Sequence, residues 1–568
     1  MNGALEKSME AIEVRYGVSC RMPDGVRLAA DIYTPPGEGP YPVLLMRQPY
    51  GRDIASTVVY AQPSWYCRRG FIVVIQDVRG RGDSEGVFNA FHNEAGDGRQ
   101  TVEWAAQLEK ANGCVGMYGF SYQASTQLLA ASTRPPALKA IAPHMTAFDL
   151  YSGWFYRGGI LQQQGTLGWG NQMLREDARR QEAWDLYERL EASFASPGSL
   201  LGQFPIREVS PLTDPGNAPY VREWLHHDQP DAYWEAFNML HRTAELAEIP
   251  SFHLTGWYDF YTRGSMDGYR AMVSRVPARQ KLVAGPWTHI PWGTRVAGRD
   301  LGEAARYPVD ELLADWMRHW CRGDRPASAF PGPPVSYFSM GDLAWHEAGT
   351  WPPEGVVGRT FFLGSRGNAN SIFGDGRLRE EEPGEGTIAD RFVYDPEVPV
   401  PGPGVQAGSY AWGPVDLYPG QQGNNLLVYR TEPFPGRRFF AGQPRCRLHV
   451  HSSAGHTAFV VRLSVRRGSR SEFLSLGAAQ LYPENLTEDG SAELMIPLDD
   501  TAFSVGQGEA LLLDVCSSAY PLLARHPNTS QPINAVPGPE AFARATQVVL
   551  HDAGHLSALY LEEVVDAA

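Results

Sequence analysis

The sequence predicts an α/β protein with a mainly parallel sheet, followed by a separate all-β domain. Short runs that are apolar on both faces alternate with helical patterns in the first half, which is typical of buried parallel strands. These runs are residues 43–46, 72–75, 115–118, 138–143, 251–255 and 281–284. Beyond a Gly/Pro-rich stretch at 324–334, the chain has short alternating runs without a long helical pattern, as in an all-β domain.

Length and composition bound the class of protein. With 568 residues, the chain exceeds one hydrophobic core, so two or three domains are expected. The formal net charge of -15 argues against nucleic-acid or anionic-membrane partners. The six cysteines form no C-x-x-C pair, and we find no signal core and no apolar run of membrane-spanning length. We therefore expect a soluble, cytoplasmic protein with free thiols.

The predicted elements follow in order along the chain. Residues 12–20 and 26–33 alternate around a Pro-Asp-Gly turn, which indicates an antiparallel pair ahead of the buried strands. Residues 146–245 interrupt the strand rhythm with helix formers and aromatics, as expected of a helical insertion over the carboxyl edge of the sheet. The predicted domains are a core of residues 1–145 and 246–325, a helical cap of residues 146–245, and a β-domain of residues 326–568.

The junction after the third buried strand carries the most informative motif, Gly119-Phe120-Ser121-Tyr122. A strand ends there and a small-residue helix begins, so a sharp turn lifts the serine hydroxyl toward a cleft. Gly119 allows this turn where a Cβ would clash. Gln123 stands where the five-residue form of the motif has glycine, and the alternative interpretation is an ordinary strand–helix junction with a serine N-cap.

Two later strands end in residues that would complete a nucleophilic site. Asp259 follows the run 251–255, and His289 follows the run 281–284. Since parallel strands present their carboxyl ends at one edge, three consecutive sheet strands are expected to bring Ser121, Asp259 and His289 together. A serine nucleophile needs a base for its proton and an acid that orients the base, and α/β-hydrolases use this chain order.

With these motifs, the chain resembles the CocE/NonD family of serine hydrolases, the cocaine esterase and X-prolyl dipeptidyl peptidase group. The resemblance covers nearly the whole chain and rests on residues 22–28, 48–50, 74–86, 119–122, 256–259, 285–289, 340–341 and 351–353. It implies an α/β-hydrolase core with a helical cap insertion and a C-terminal β-sandwich (jelly-roll-like) domain. The family elbow reads Gly-x-Ser-Tyr-x-Gly, so Gln123 is no departure, and Ala124 in place of the usual glycine is a mild one.

The resemblance also implies roles for individual residues. Ser121, Asp259 and His289 would be the catalytic residues, and the oxyanion hole would consist of the Tyr122 backbone N–H and the Tyr50 hydroxyl. A tyrosine with the usual pKa of about 10 is neutral at about pH 7 and can donate a hydrogen bond. Without the family, a packed loop tyrosine is the preferred interpretation of Tyr50.

Three aromatic residues match the acyl pocket of the aryl-ester hydrolases in this family. They are Trp154 and Trp169 of the insertion and Tyr261 of the acid loop, where the family has phenylalanine. Such rings would bury a flat or apolar acyl group, or else they attach the cap to the core. The Gly-rich loop 402–413 is a candidate to close the pocket from the second domain.

Several other candidate residues have structural interpretations. His253 lies inside a strand as a core histidine, Asp267 lies on a solvated helix face, and His449 with His451 lacks a third metal ligand. The loop 80–86 departs from the G-x-G-x-x-G spacing of a dinucleotide site, so we interpret its charged residues as bonding to one another; they are Arg81, Asp83 and Glu85.

The sequence therefore predicts a serine esterase that cleaves a small-molecule ester or amide through an acyl-enzyme, without cofactor or metal. Alternatives stay open: an X-prolyl or α-amino-acyl peptidase or ester hydrolase, an acyltransferase of secondary metabolism on the same triad, and a non-enzymatic sugar-binding protein. An X-prolyl peptidase would need a carboxylate for the substrate amine and commonly has a large N-terminal oligomerisation segment. A homo-oligomer is a further open alternative.

Overall fold

The computed structural model of the protein describes residues 11–53, 58–321, 329–383, 389–403 and 413–565. Within these ranges, none of the helices is both long and apolar enough to cross a membrane. Residues 324–328 of the predicted linker and residues 404–412 of the predicted pocket loop lie outside the described residues.

The elements up to residue 348 alternate between strands and helices. The strands are β1 (Glu13–Arg21), β2 (Arg27–Thr34), β3 (Tyr41–Gln48), β4 (Ile72–Asp77), β5 (Ala111–Phe120), β6 (Leu138–His144), β7 (Tyr156–Arg157), β8 (Ile160–Leu161), β9 (Ser251–Tyr258), β10 (Gln280–Thr288), β11 (Arg295–Val296), β12 (Arg299–Asp300), β13 (Val335–Ser339) and β14 (Ala344–Ala348). The α-helices are α1 (Pro63–Cys67), α2 (Glu94–Ala105), α3 (Tyr122–Ala131), α4 (Gln163–Arg180), α5 (Trp184–Ala195), α6 (Gly198–Leu201), α7 (Tyr220–His226), α8 (Ala232–Glu235), α9 (Thr243–Leu246), α10 (Thr262–Val273) and α11 (Val309–Trp320). Short 3₁₀ turns lie at Ile206–Glu208, Met239–Arg242, Pro277–Arg279 and Glu303–Ala305.

Ten of these strands form one sheet, in the order β1-β2-β4-β3-β5-β6-β9-β10-β13-β14. From β4 to β13 neighbouring strands run parallel, whereas β1, β2 and β14 pair antiparallel at the two edges. The predicted α/β fold class is confirmed. The sequence predicted that the strands preceding Ser121, Asp259 and His289 are three consecutive strands of the sheet. This was wrong, because β6 lies between β5 and β9.

The sheet is buried on both faces, which explains the continuous apolar runs. Because successive side chains of a strand point to opposite faces, Val43 and Leu45 of β3 join the hydrophobic cluster that includes α2 and α3. Leu44 and Met46 join the opposite cluster, which includes α11. The core of the first domain therefore consists of two apolar layers separated by the sheet.

The core sheet extends past the predicted boundary at residue 325. β13 pairs in parallel with β10, and β14 pairs antiparallel with β13, so residues 335–348 belong to the core sheet. The pairing of β13 and β14 thus joins the start of the predicted C-terminal domain to the core sheet. A short apolar strand that follows a Gly/Pro-rich stretch has the same local pattern in either domain, and only its pairing partner assigns it.

Between β6 and β9, helices α4 to α9 form the cap. The cap begins with a π-helical turn, Tyr151–Phe155, and the short hairpin β7–β8. A π-turn is rare and frequently lies at a functional site. Here it carries Trp154, one of the predicted pocket residues.

The C-terminal domain is rich in strands. They are β15 (Val356–Gly364), β16 (Arg377–Arg379), β17 (Asp390–Tyr394), β18 (Leu427–Arg430), β19 (Arg438–Gly442), β20 (Arg445–Ser452), β21 (Thr457–Arg467), β22 (Arg470–Leu481), β23 (Ala492–Pro497), β24 (Thr501–Val505), β25 (Ala510–Cys516), β26 (Ala545–Leu550) and β27 (Ala558–Val564). Short 3₁₀ turns lie at Gly420–Gln422, Pro483–Asn485, Ile533–Ala535 and Pro539–Ala541. The main strand order is β17-β26-β20-β27-β15-β16-β18-β25-β21-β22, and β19, β23 and β24 pair beside this path.

Candidate active site

Ser121 lies at a strained turn between β5 and α3. Its backbone has φ 59° and ψ -130°, a left-handed conformation that costs energy in a non-glycine residue. Gly119 has φ 138°, and a Cβ there would lie 2.5 Å from the Cβ of Gln123. The turn therefore requires glycine at 119, and it points the Ser121 side chain out of the end of the sheet.

Two buried glutamines of α3 hold this turn in place. The Gln123 side chain accepts from the Phe120 N–H at 3.1 Å. The Gln127 amide donates to the Gly119 carbonyl at 3.1 Å and accepts from the Ala142 N–H at 2.9 Å. Sequence reasoning missed both roles, although a run of polar residues on a helix that is buried all round was a signal that they have partners.

β6 supplies a second support for the turn. The Ser121 N–H donates to the His144 carbonyl at 3.0 Å and to the Met145 carbonyl at 3.2 Å. The turn is thereby tied to the carboxyl ends of two adjacent strands, which explains how a strained backbone is kept in one conformation.

Asp259 and His289 form a hydrogen-bonded pair at the same edge. The His289 Nδ1 lies 3.1 Å from the Asp259 Oδ1, and Asp259 is fully buried. The Tyr261 N–H also donates to that carboxylate oxygen, at 3.2 Å. Since Nδ1 faces the carboxylate, Nε2 is the nitrogen left to exchange a proton with a nucleophile.

Phe120, the residue before Ser121, packs against His289. The rings of Phe120 and His289 have centroids 5.3 Å apart, and Ser121 is the next residue in the chain. Among the described residues, no hydrogen bond joins the Ser121 hydroxyl to His289. A catalytic hydrogen bond is often long or poorly aligned without substrate and shortens in the complex. Phe260, whose ring lies 4.9 Å from that of His289, borders the imidazole on another side and was not predicted.

The Tyr50 hydroxyl lies beside the Ser121 hydroxyl. Burial of this hydroxyl raises its pKa to about 12, while interactions with the Trp169 indole and the Ser121 hydroxyl lower it in part. Tyr50 is held by its own N–H, which donates to the Gln48 side chain at 2.8 Å. The raised pKa keeps the phenol neutral, so it is available as a hydrogen-bond donor beside Ser121.

The Tyr122 N–H is the second predicted donor. Tyr122 is the first residue of α3, where a backbone N–H has no acceptor within the helix. Its side chain is fixed underneath, because the hydroxyl donates to the Glu94 carboxylate at 2.9 Å and accepts from the Phe91 N–H at 2.9 Å. Glu94 forms a buried ion pair with Arg47 at 2.7 Å. Burial raises the pKa of Glu94, and the Arg47 charge opposes that shift.

The three predicted pocket residues form one aromatic wall beside His289. The ring centroids of Trp154 and Tyr261 are 4.2 Å apart, those of Trp154 and Trp169 are 5.4 Å apart, and those of Tyr261 and His289 are 5.1 Å apart. Trp169 also stacks on Trp224 inside the cap at 4.8 Å. Trp169 therefore fits both predicted roles, as a wall of the acyl pocket and as a contact between cap and core. Tyr261 packs against His289, and Trp154 packs against Tyr261.

The charged residues of the 80–86 loop bond to other elements, which corrects the prediction of a self-bonding loop. Arg81 is buried, donates to the Met173 carbonyl at 3.1 Å and pairs with Asp177 of the cap at 3.1 Å. Asp83 pairs with Arg52 at 2.8 Å, and Glu85 pairs with Arg27. Spacing along the chain does not reveal such partners, because they come from distant segments.

The other histidine candidates have ordinary contacts. His253 is buried and bonds the Gln280 side chain at 3.0 Å, and burial lowers its pKa to about 4. His449 lies 3.5 Å from Glu493. Asp267 pairs with Arg263 and Arg270 on one face of α10.

Two family models match the chain. The model described as X-Pro dipeptidyl-peptidase (S15 family) matches residues 24–291, and the model described as X-Pro dipeptidyl-peptidase C-terminal non-catalytic domain matches residues 329–559. The cocaine esterase of Rhodococcus sp. (strain MB1 Bresler) is 34% identical over 542 residues, which cover 91% of this chain and 92% of that protein.

Solved structures share the fold over the full length. An aminopeptidase from the marine sediment archaeon Thaumarchaeota archaeon is 23% identical, with a TM-score of 0.79 and coverage of 98% of this chain and 97% of that chain. An alpha-amino acid ester hydrolase is 21% identical, with a TM-score of 0.79 and coverage of 99% and 98%. A CocE/NonD family hydrolase from Staphylococcus aureus is 17% identical, with a TM-score of 0.70 and coverage of 98% and 94%.

Proposed function

The chain belongs to the CocE/NonD family of serine hydrolases, the cocaine esterase and X-Pro dipeptidyl-peptidase group, and on this premise we propose that it hydrolyses carboxylic esters through an acyl-enzyme on Ser121. The observation that carries the proposal is the strained Ser121 turn, which lies against a buried neutral tyrosine hydroxyl at the edge where Asp259 and His289 are paired. These are the parts that acyl transfer requires.

In the proposed reaction, each of these groups has one role. His289 Nε2 takes the proton of Ser121 as the hydroxyl attacks the ester carbonyl, and Asp259 stabilises the resulting imidazolium through Nδ1. The negative oxygen of the tetrahedral intermediate accepts hydrogen bonds from the Tyr50 hydroxyl and the Tyr122 N–H. His289 then protonates the leaving alcohol, and water releases the acid in a second cycle of the same steps.

The aromatic wall indicates which acyl group the site would bind. Trp154 and Tyr261 are almost fully buried; Tyr261 packs against His289, and Trp154 packs against Tyr261. Flat rings of this kind favour an apolar or aromatic acyl group over a charged one. An ester is the proposed substrate class because the relative with full-length similarity is named an esterase. All six cysteines lie in the described part of the chain, are buried and form no disulfide there, which supports a reducing compartment, the cytoplasm, as the proposed location.

Labelling with a fluorophosphonate tests the nucleophile directly. We expect one label per chain on the peptide that contains Ser121, and none in Ser121→Ala. Ser365 supplies a matched control, because it bonds Asp390 at 2.7 Å and lies 3.3 Å from His551 in the C-terminal domain. Ser365→Ala should label like the wild type. Turnover of p-nitrophenyl esters by purified Ser121→Ala at the wild-type rate would contradict the proposal.

A further inference from the structure

The hairpin β7–β8 connects the aromatic wall to the C-terminal domain. It follows the π-turn Tyr151–Phe155 directly, so the backbone that carries Trp154 runs straight into it. At the other end of the hairpin, Gln162 returns to this turn: its side chain donates to the Trp154 carbonyl at 2.8 Å, and its N–H donates to the Phe155 carbonyl at 2.8 Å. The position of Trp154 is therefore coupled to the position of the hairpin.

The tip of the hairpin is held by the C-terminal domain. Arg157 is buried, pairs with Asp499 at 2.7 Å and donates to the Leu476 carbonyl at 3.1 Å. A Cβ on Gly158 would lie 2.1 Å from the Ala478 carbonyl oxygen, so the two backbones touch. On the return strand, the Ala524 N–H donates to the Leu161 carbonyl at 2.9 Å. These partners lie more than 300 residues along the chain from the hairpin.

Tyr156 is the anchor nearest to Trp154. Its hydroxyl donates to the Trp224 carbonyl of the cap at 2.8 Å and accepts from the Asn534 side chain of the C-terminal domain at 2.9 Å. The same Asn534 amide donates to the Leu225 carbonyl at 3.0 Å. One asparagine thus joins the hairpin and helix α7 at a single point.

A cavity lies beside this anchor. It has a volume of about 190 Å³ and borders Tyr156, Gly159, Tyr482 and Asn534. Tyr156 and Gly159 belong to the hairpin segment and Tyr482 and Asn534 to the C-terminal domain, so the cavity lies where the two meet. The hydrogen bonds of Tyr156 therefore fix the end of the hairpin nearest to Trp154, and Arg157 and Leu161 are held separately.

We propose that the C-terminal domain sets the acyl specificity of the enzyme through this hairpin, with Tyr156 and Asn534 as the positioning residues of the Trp154 wall. The inference rests on the proposed function, because it assigns the acyl group to that wall. Neither residue touches the reacting atoms. Loosening the anchor should shift Trp154 and weaken the discrimination between large aromatic and small acyl groups, while turnover of a small acyl group is kept.

The test is a selectivity measurement on Tyr156→Phe and Asn534→Ala. The readout is the ratio of kcat/KM for p-nitrophenyl benzoate to that for p-nitrophenyl acetate. We expect the ratio to fall by about 3- to 10-fold in each variant, the range that one buried hydrogen bond can supply. The two changes share the Tyr156–Asn534 bond, and each also removes one bond of its own, so the combined fall in the double variant should be smaller than the product of the two single effects.

A matched control separates positioning from general destabilisation. Tyr394 is a buried tyrosine of the C-terminal domain whose hydroxyl donates to the His526 carbonyl at 3.1 Å. Tyr394→Phe should lower the melting temperature about as much as Tyr156→Phe and leave the ratio unchanged. An unchanged ratio in Tyr156→Phe, or an equal fall in Tyr394→Phe, overturns the proposal.

Trp154→Ala keeps the two proposals distinguishable. If Trp154→Ala changes the ratio and Tyr156→Phe does not, the acyl wall stands and the hairpin proposal fails. If Trp154→Ala leaves the ratio unchanged, the acyl wall itself is wrong and both proposals fail, although labelling of Ser121 would still identify the nucleophile.

Discussion

Replacing Tyr50 by phenylalanine deletes one hydroxyl from the proposed oxyanion hole and keeps the ring. The backbone of residue 50 is held independently of that hydroxyl, by the bond from its N–H to Gln48, whose side chain in turn bonds Asp77 at 3.0 Å. We therefore expect the fold to persist, with a stability loss of about 1 kcal/mol for the missing hydrogen bond.

The kinetic effect should be much larger than the effect on stability. The hydroxyl is buried beside Ser121, where water cannot replace it freely, since Ser121 is only 6% exposed. One such donor contributes about 3 kcal/mol to the transition state, so kcat should fall on the order of 100-fold while KM changes far less. The assay is steady-state and burst-phase hydrolysis of p-nitrophenyl esters.

Tyr118→Phe is the matched control for this experiment. Tyr118 lies on the same strand β5, is buried, and its hydroxyl has no hydrogen-bond partner in the described part of the chain. It should retain wild-type kcat. If Tyr50→Phe also retains kcat to within about threefold, the oxyanion role is refuted, because a lost donor costs far more. A rise in KM with unchanged kcat would instead make Tyr50 a wall of the binding site.

The pH profile provides a second arm of the same test. Burial raises the pKa of Tyr50 to about 12. A tyrosine donates a hydrogen bond only while it is protonated, and the raised pKa keeps Tyr50 protonated to a higher pH. Deprotonation of Tyr50 should therefore not lower kcat between about pH 8 and 11. An alkaline fall of kcat near about pH 10 that disappears in Tyr50→Phe would refute this reasoning.

Two further predictions concern the base and the core. Asp259→Asn should lower kcat on the order of 1000-fold or more with folding intact, because a neutral amide in place of the carboxylate would favour the wrong tautomer of His289; near-normal hydrolysis would exclude the pair as base and orienting acid. Burial lowers the pKa of His253 to about 4 and that of His144 to about 3. As pH falls below about 6.5, the unfolded chain binds these protons first, so the free energy of unfolding should decrease by up to about 1.4 kcal/mol per pH unit for each histidine. Urea unfolding at several pH values measures this slope, which should be shallower in His253→Gln; equal slopes would contradict the assignment.

Much of the proposed site was predictable because it depends on local patterns. Gly119 and Ser121 lie at a strand–helix junction, and Asp259 and His289 each follow a buried strand by one residue. Parallel strands must present their carboxyl ends at one edge, so the sequence could place these side chains together without coordinates.

The partners of the charged residues were not predictable in this way. Arg81 reaches across to Asp177, 96 residues away, although its neighbours in the loop also carry charge. β13 joins the core sheet although its composition suits either domain. A residue's sequence neighbourhood sets its conformational preference, whereas its partner is set by whichever distant segment packs against it.

The sequence by itself determined the fold class, the order of Ser121, Asp259 and His289, and the presence of an aromatic-rich cap, because strand period, turn chemistry and composition are local. Only the tertiary structure decided that the Tyr50 hydroxyl lies against Ser121 and that Trp154 packs on Tyr261. It also decided that Asn534 of the C-terminal domain holds the β7–β8 hairpin. Those contacts join segments far apart in the chain, and such contacts exist only when the packed domains bring the segments together.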